Sequence, residues 1–257
     1  MSHDDLSGRI ALVTGATSGF GLATAEAFAR AGARVVAIGR RRDRLDALAA
    51  AHPGKLHAVA LDLQDRAAIE PFVRDLPAGF SEIDVLVNNA GLALGLEPAQ
   101  RASLEQWDTM IETNCRALVA LTRAVLPGMV SRNRGHVVAV GSVAGEYPYP
   151  GGNVYGATKA FVRQFMKNLK ADLLGTAVRV TNVAPGMAGD TEFSLVRFGG
   201  DAERAAKVYE GVTPLSPEDV AEAILWAVTL PPHVNVNTIE LMPVQQGFSP
   251  FAISRRS

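Results

Sequence analysis

Short apolar runs recur along the chain, separated by longer stretches with helical periodicity. The runs lie near 9–13, 34–38, 56–60, 83–88, 136–140, 177–183 and 238–242, and most are rich in Val, Ile, Leu and Ala. Runs that are apolar throughout predict strands with both faces buried, the condition of a parallel sheet covered on each side. The intervals 19–31, 41–50, 65–75, 104–129, 153–174 and 217–229 repeat their apolar positions at the spacing of a helix. Strand and helix alternate throughout, which predicts an α/β fold: one doubly wound parallel sheet of about seven strands with helices on both faces. Pro127, near the end of the 104–129 helix, is expected to stop or kink it. The rhythm breaks between Met187 and Gly211, where Gly189, Gly199 and Gly200 sit among scattered aromatics. That segment reads as a mobile lid over a substrate or as a plain surface excursion.

At 257 residues, with no repeat, low-complexity tract or linker, the chain (1–257) is expected to form one domain. A formal net charge of −1 gives no global field toward nucleic acid or anionic membrane. No apolar stretch reaches the ~18–20 residues of a membrane span. The opening Met1-Ser2-His3-Asp4-Asp5 is polar and acidic, unlike a secretory signal. The single cysteine, Cys115, excludes an internal disulfide and suits a reducing cytoplasm; packing on a helix is its expected role. The five histidines show no ligand spacing, so no metal site is expected.

Chemistry enters at the first strand. The run to Val13 is followed by Thr14-Gly15-Ala16-Thr17-Ser18-Gly19-Phe20-Gly21 and then by an Ala-rich helical stretch. Strand, glycine turn and helix together present backbone N–H groups and a helix N-terminus to a pyrophosphate. A tight turn without a ligand is the alternative, and three glycines in seven positions favour the nucleotide. Gly15, Thr17, Ser18, Gly19, Phe20 and Gly21 are expected to bind the cofactor, with Gly15, Ser18, Phe20 and the helix from Gly19 against the pyrophosphate and adenosine ribose. The second strand ends in Gly39-Arg40-Arg41-Arg42, where an acid would bond the ribose 2′-hydroxyl of NAD. Arg40 and Arg41 supply guanidinium instead, which matches a 2′-phosphate and favours NADP(H) over NAD. Unpaired cations at a helix start oppose the macrodipole by roughly 0.3–1 kcal/mol each, so a solvated basic turn explains them less well.

Further along, Tyr155 and Lys159 stand four residues apart and Ser142 precedes Tyr155 by 13 positions. Positions i and i+4 share a helix face. An ammonium beside a phenol favours phenolate and is expected to lower the tyrosine pKa toward neutrality, making a general acid/base for an alcohol or carbonyl. A packed tyrosine with a solvated lysine is the bland alternative for this spacing alone.

Taken in order, Thr14-Gly15 through Gly21, Asp62-Leu63, Asn88-Asn89-Ala90-Gly91, Asn114, Ser142, Tyr155 with Lys159, and Pro185-Gly186 resemble the motifs of the short-chain dehydrogenase/reductase family, which has a Rossmann-like fold. The resemblance runs from about Arg9 to about Pro243. It implies that Tyr155 is the acid/base and that Lys159 holds the nicotinamide ribose. Ser142 would hydrogen-bond the substrate oxygen, and Asn114 would order a water linking Lys159 to solvent; an amide bonding its local helix backbone is the alternative for Asn114. Asp62 would meet the adenine amino group beside Leu63, although it also reads as a helix N-cap, a role that Asp65 fits better. Asn89, Ala90 and Gly91 would lie along the cofactor, with Asn88 bracing the central strands. Pro185, Gly186 and Thr191 would meet the nicotinamide carboxamide, the insertion Met187–Asp190 displacing Thr191 from its usual spacing.

Within the family, the stretches 88–95, 151–165, 191–198, 233–237 and 241–243 are similar to those of bacterial NADP-dependent 3-hydroxy acid dehydrogenases acting on serine and allo-threonine. Sulfoacetaldehyde reductases are similar in the same stretches. The implied substrate is a small anionic hydroxy acid or its 3-oxo or semialdehyde form, with sulfoacetaldehyde or another small anionic aldehyde as the alternative. A non-catalytic NADP-binding redox sensor is the reading from a different class. An anionic substrate needs a cation: Arg197 is the candidate clamp, with a surface salt bridge as its alternative, and Tyr147 or Tyr149 would add a hydroxyl. Phe161, Phe165 and Met166 read as core or subunit contacts. The resemblance implies a homotetramer, with the 104–129 and 153–174 helices as candidate subunit faces. The tail from Phe248 to Ser257 reads as docked on a neighbour or frayed.

Overall fold

The computed structural model describes residues 5–248. Seven strands form one sheet: β1 (Ile10–Thr14), β2 (Arg34–Gly39), β3 (Leu56–Ala60), β4 (Val85–Asn88), β5 (Gly135–Val140), β6 (Val178–Pro185) and β7 (Thr238–Leu241). Their order is β3-β2-β1-β4-β5-β6-β7 and every pairing is parallel. The chain builds outward from β1 through β2 to β3, then crosses back to β4 and builds the other way. That reversal opens a crevice beyond the carboxyl ends of β1 and β4, where ligands of such sheets bind.

The apolar strand runs serve two cores. Ile10 and Leu12 of β1 join one cluster with Leu121, Val125, Met129, Val162 and Met166, while Ala11 and Val13 join another with Phe28, Val220 and Ile224. Alternate side chains point to opposite faces of the sheet, so one strand feeds both layers. One layer holds α3 (Arg66–Arg74), α5 (Leu118–Ser131) and α6 (Asn153–Asp172); the other holds α1 (Gly19–Arg30), α2 (Arg42–Ala51) and α9 (Pro217–Thr229). Ala23, Ala27 and Ala221 make the small-residue seam between α1 and α9.

Most element bounds fall within two residues of the sequence expectation. The interval 104–129 differs: it is α4 (Leu104–Ile111), a π-helical turn (Glu112–Ala117) and α5 in continuous succession. Pro127 does not stop it, since α5 runs on to Ser131. The segment 187–211 is not irregular throughout. It carries α7 (Phe193–Arg197) and α8 (Ala202–Lys207), the latter capped by Asp201, which accepts from Arg204 N at 3.0 Å. Its roots are joined: Gly189 donates to the Leu215 carbonyl and Leu215 to that of Met187. Asp65 caps α3, accepting from Ala67 N at 3.1 Å. Met166 is buried, whereas Phe161 is 43% exposed and stacks on Phe165 with centroids 6.1 Å apart. The tail proposed to dock or fray lies, from residue 249 on, outside the described residues.

Candidate active site

Tight packing at the end of β1 shapes the first wall of the crevice. Gly15 (φ +67°) and Gly19 (φ +51°) take left-handed backbone, and a Cβ on Gly15 would stand 2.8 Å from Asn89 Nδ2. Both turns are locked together through Thr14. Its hydroxyl accepts from the backbone N–H groups of Asn89 and Ala90 at 2.9 Å each, and its carbonyl accepts from Asn89 Nδ2 at 2.8 Å. Asn89 therefore joins the ends of β1 and β4 while lining the crevice. Asn88 braces β4 against α5, donating to Thr122 Oγ1 at 3.0 Å.

The second wall carries the basic residues. Arg40 is exposed at the crevice edge. Arg41 is held by Thr17 and Ser18, its Nη2 donating to both hydroxyls at 2.8 Å. Asp62 accepts from Gln64 N at 3.0 Å in a local turn and remains exposed beside the buried Leu63. These residues, Gly91, Pro185 and Gly186 line a single cleft of about 750 Å³ that reaches Ser142, Tyr155, Lys159 and Arg197. Thr191 stands over the glycine turn, its methyl 3.2 Å from where a Gly19 Cβ would be.

The inner end of the cleft brings the expected catalytic residues together. Ser142 follows β5 and caps a short 3₁₀ turn (Val143–Gly145), accepting from Ala144 N at 3.1 Å. That turn sits on α6 because two glycines allow it. A Cβ on Gly145 would stand 2.7 Å from the Lys159 carbonyl carbon, and one on Gly156 2.9 Å from the Ala144 oxygen. Tyr155 and Lys159, on α6, are buried. Lys159 Nζ donates to the Val140 carbonyl at 2.8 Å. Asn114 lies in the π-helical turn, where a widened repeat is a common device for turning a side chain into a site. Its Oδ1 accepts from Leu92 N, and its Nδ2 donates to Leu92 O and to Thr158 Oγ1, at 2.9–3.0 Å. Asn114 thus bonds neighbouring elements and not its own helix backbone.

Burial dominates the titration of this pair. It pushes the Tyr155 phenol up to about 12, against the Ser142 hydroxyl and the Arg197 charge, which pull down. It drives the Lys159 ammonium down to about 8. The expectation that Lys159 lowers the tyrosine pKa is therefore corrected for the protein alone: desolvation sets the direction, and the charge that opposes it is that of Arg197. Cys115 is buried too, its thiol pushed up to about 11, which leaves it inert packing.

Arg197 makes no salt bridge among the described residues. It leaves the surface and points inward, Nη2 donating to the Tyr149 hydroxyl at 2.7 Å and Nε to the Gly95 carbonyl at 3.2 Å. Its guanidinium carbon stands 5.6 Å from the Tyr155 ring centre. Tyr147 differs from Tyr149, because its hydroxyl is engaged outward with Glu240 Oε1 at 3.1 Å.

The model of the family described as short chain dehydrogenase matches residues 9–196. The chain belongs to that family. Relatives of this short chain dehydrogenase include the NADP-dependent 3-hydroxy acid dehydrogenase YdfG of Salmonella typhi, 59% identical over 96% of this chain and 99% of the relative. Serine 3-dehydrogenase of Agrobacterium fabrum is 50% identical over 98% of this chain and 100% of the relative. Among solved structures, the closed form of a serine dehydrogenase complexed with NADP+ superposes with a TM-score of 0.95 at 56% identity, covering 96% and 100% of the two chains.

Several residues of the dehydrogenase's cleft escaped the sequence reading. Phe193 packs on Tyr155 with ring centroids 5.6 Å apart. Gln246 accepts from Met187 N at 2.7 Å, beside Gly186. Glu192 bonds Arg41 and Arg44. Only Arg44 carried a signal, one turn beyond Arg41 on α2; the others meet their partners solely through the fold.

Proposed function

We propose that this short chain dehydrogenase interconverts a small 3-hydroxy acid and its 3-oxo or semialdehyde form, using NADP(H). One observation carries the reading: Arg197 stands unpaired by any carboxylate among the described residues, directly above the Tyr155 ring. A guanidinium left free in a partly dry cleft is a receptor for an anion, and a carboxylate suits its fork. The relatives named 3-hydroxy acid and serine dehydrogenases support the same class.

The residues present fit NADP(H). The glycine turn leaves room for a pyrophosphate, Arg40 and Arg41 line the cleft and would meet a 2′-phosphate, and Asp62, also lining it, would accept from an adenine amino group. Thr191, over Gly19, faces the pyrophosphate end. Gly91, Pro185 and Gly186 border the inner cleft. The bound nicotinamide supplies the hydride.

The protein's own work concerns the proton and the substrate. Tyr155 stays protonated at neutral pH and donates its phenolic proton to the substrate oxygen during reduction, leaving the phenolate; in the reverse direction it is this phenolate that takes the alcohol proton. Ser142 hydrogen-bonds that oxygen as charge develops. Lys159 holds the ribose hydroxyls, and Asn114 fixes the loop at Leu92 and the Thr158 turn of α6 beside it. Arg197 and Tyr149 take the carboxylate. The Leu104, Ile111 and Phe161 side chains exposed on α4 and α6 support contact between copies of the chain; that the assembly is a homotetramer in the cytoplasm is proposed from the family resemblance and the single cysteine. Assaying NADPH oxidation with 3-oxo acids, their neutral esters and sulfoacetaldehyde tests the reading. The acids are expected to turn over best, and preference for the neutral esters would refute it.

A further inference from the structure

One carboxylate ties the segment after β6 to the opposite wall of the cleft. Glu192 accepts from Arg41 Nη1 at 2.6 Å and pairs with Arg44 Nη1 at 2.9 Å. Arg41 lies 151 residues earlier, where β2 gives way to α2. Thr191 rests on Gly19, so residues 191 and 192 run from the glycine turn to the start of α2. They line the cleft together with Thr17, Ser18 and Gly19 and so cover it at the glycine turn.

The tie has the character of a clasp and not of a core contact. Its side chains are only half-buried, 35% exposed for Glu192, 38% for Arg41 and 44% for Arg44. Such pairs contribute only about 0–1 kcal/mol to folding and break readily. Partial burial pushes the Glu192 carboxyl up, but hydrogen bonds from Arg41 and Arg44 hold it below its ordinary range, so it is ionised at neutral pH. The roots of the segment are pinned separately. Gln246 takes Met187 N, Gln245 takes Thr213 N, both at 2.7 Å, and Ala188 bridges Leu215. With its roots fixed and its middle tied by Arg197 to Gly95 and Tyr149, releasing Glu192 frees the stretch around residues 190–192 to move off the glycine turn.

We propose that Glu192 is the clasp of this lid, and that opening its pairs with Arg41 and Arg44 gates both entry and exit of NADP(H). The inference rests on the dinucleotide lying in this cleft. A gate slows both directions, so its removal speeds both and moves the dissociation constant little.

Stopped-flow NADPH fluorescence on the full chain tests it with Glu192→Gln and Arg44→Gln. Each variant is expected to raise the association and dissociation rates together, by about threefold to tenfold. If Glu192 acted only through its charge, the two variants would move the association rate in opposite directions, because one loses an anion and the other a cation. Opposite shifts, unchanged rates, or a change in dissociation alone would overturn the clasp. Failure of the cleft assignment looks different: Arg40→Ala would then bind NADPH with the parent's dissociation constant. If only the clasp fails, that variant is weakened while the paired rates of the other two stay put.

Discussion

The Lys159 ammonium stands 5.9 Å from the centre of the Tyr155 ring, on the same face of α6 and one turn along. Its nearest hydrogen-bond acceptor is the Val140 carbonyl and not the phenol. The two groups are thus held at the end of β5 with opposite displacements, the phenol up to about 12 and the ammonium down to about 8. An acid that keeps its proton at neutral pH is set to protonate a carbonyl oxygen.

The lysine predicts a pH dependence. kcat/KM for NADPH reports the free enzyme, and in the proposed role it is the charged form of Lys159 that holds ribose hydroxyls. That parameter is expected to be flat near neutrality and to fall above about pH 8. A flat profile through pH 9.5 would remove Lys159 from the role.

Stability follows from the same shift. The folded pKa lies below the unfolded value of 10.5, so the unfolded chain binds more protons between about pH 8 and 10.5 and stability rises with pH there. Above about pH 10 Tyr155 acts the other way, because its folded pKa is raised. Lys159→Met is expected to lose activity, to melt higher at pH 7, and to lose the rise above pH 8. Chemical denaturation at pH 7, 8, 9 and 10 checks this.

Arg197→Ala is expected to raise KM for a 3-oxo acid at least tenfold, the order of one charged hydrogen bond at about 1.5–3 kcal/mol. A neutral ester of the same acid should be little affected. Equal losses for both substrates would assign Arg197 to positioning Tyr149 instead.

Arg40→Ala is expected to weaken NADPH about tenfold and leave NADH unchanged, read as the ratio of their dissociation constants. A lone charge-assisted contact to phosphate has that magnitude.

Gly145→Ala adds a methyl 2.7 Å from the Lys159 backbone. Overpacking of this kind costs about 1–3 kcal/mol, and here it pushes the Ser142 turn off α6. Loss of kcat beyond the loss of stability, by activity and melting measured together, is the expected outcome.

The sheet was legible because its central strands β1, β2, β4 and β5 are apolar runs buried on both faces, and helices such as α9 were legible from their periodicity. Tyr155, Lys159 and Ser142 announced themselves by spacing and do converge in one cleft. The rest was hidden for definite reasons. α7 and α8, five and six residues long, are too short for a periodic signal. The π-helical turn at Asn114 reads as ordinary helix in Glu112–Ala117. The tyrosine's pKa direction depends on burial, which an i,i+4 spacing does not encode. The Glu192–Arg41 pair joins residues brought together only by the closed fold.

The central claim is that the Tyr155 phenol carries the proton. Its most direct test is the single-turnover rate of NADPH oxidation in Tyr155→Phe, with NADPH binding measured alongside. The account predicts a fall of about a hundredfold to ten-thousandfold, the usual weight of general acid catalysis, with binding retained. A variant that turns over its 3-oxo acid as fast as the parent would contradict it.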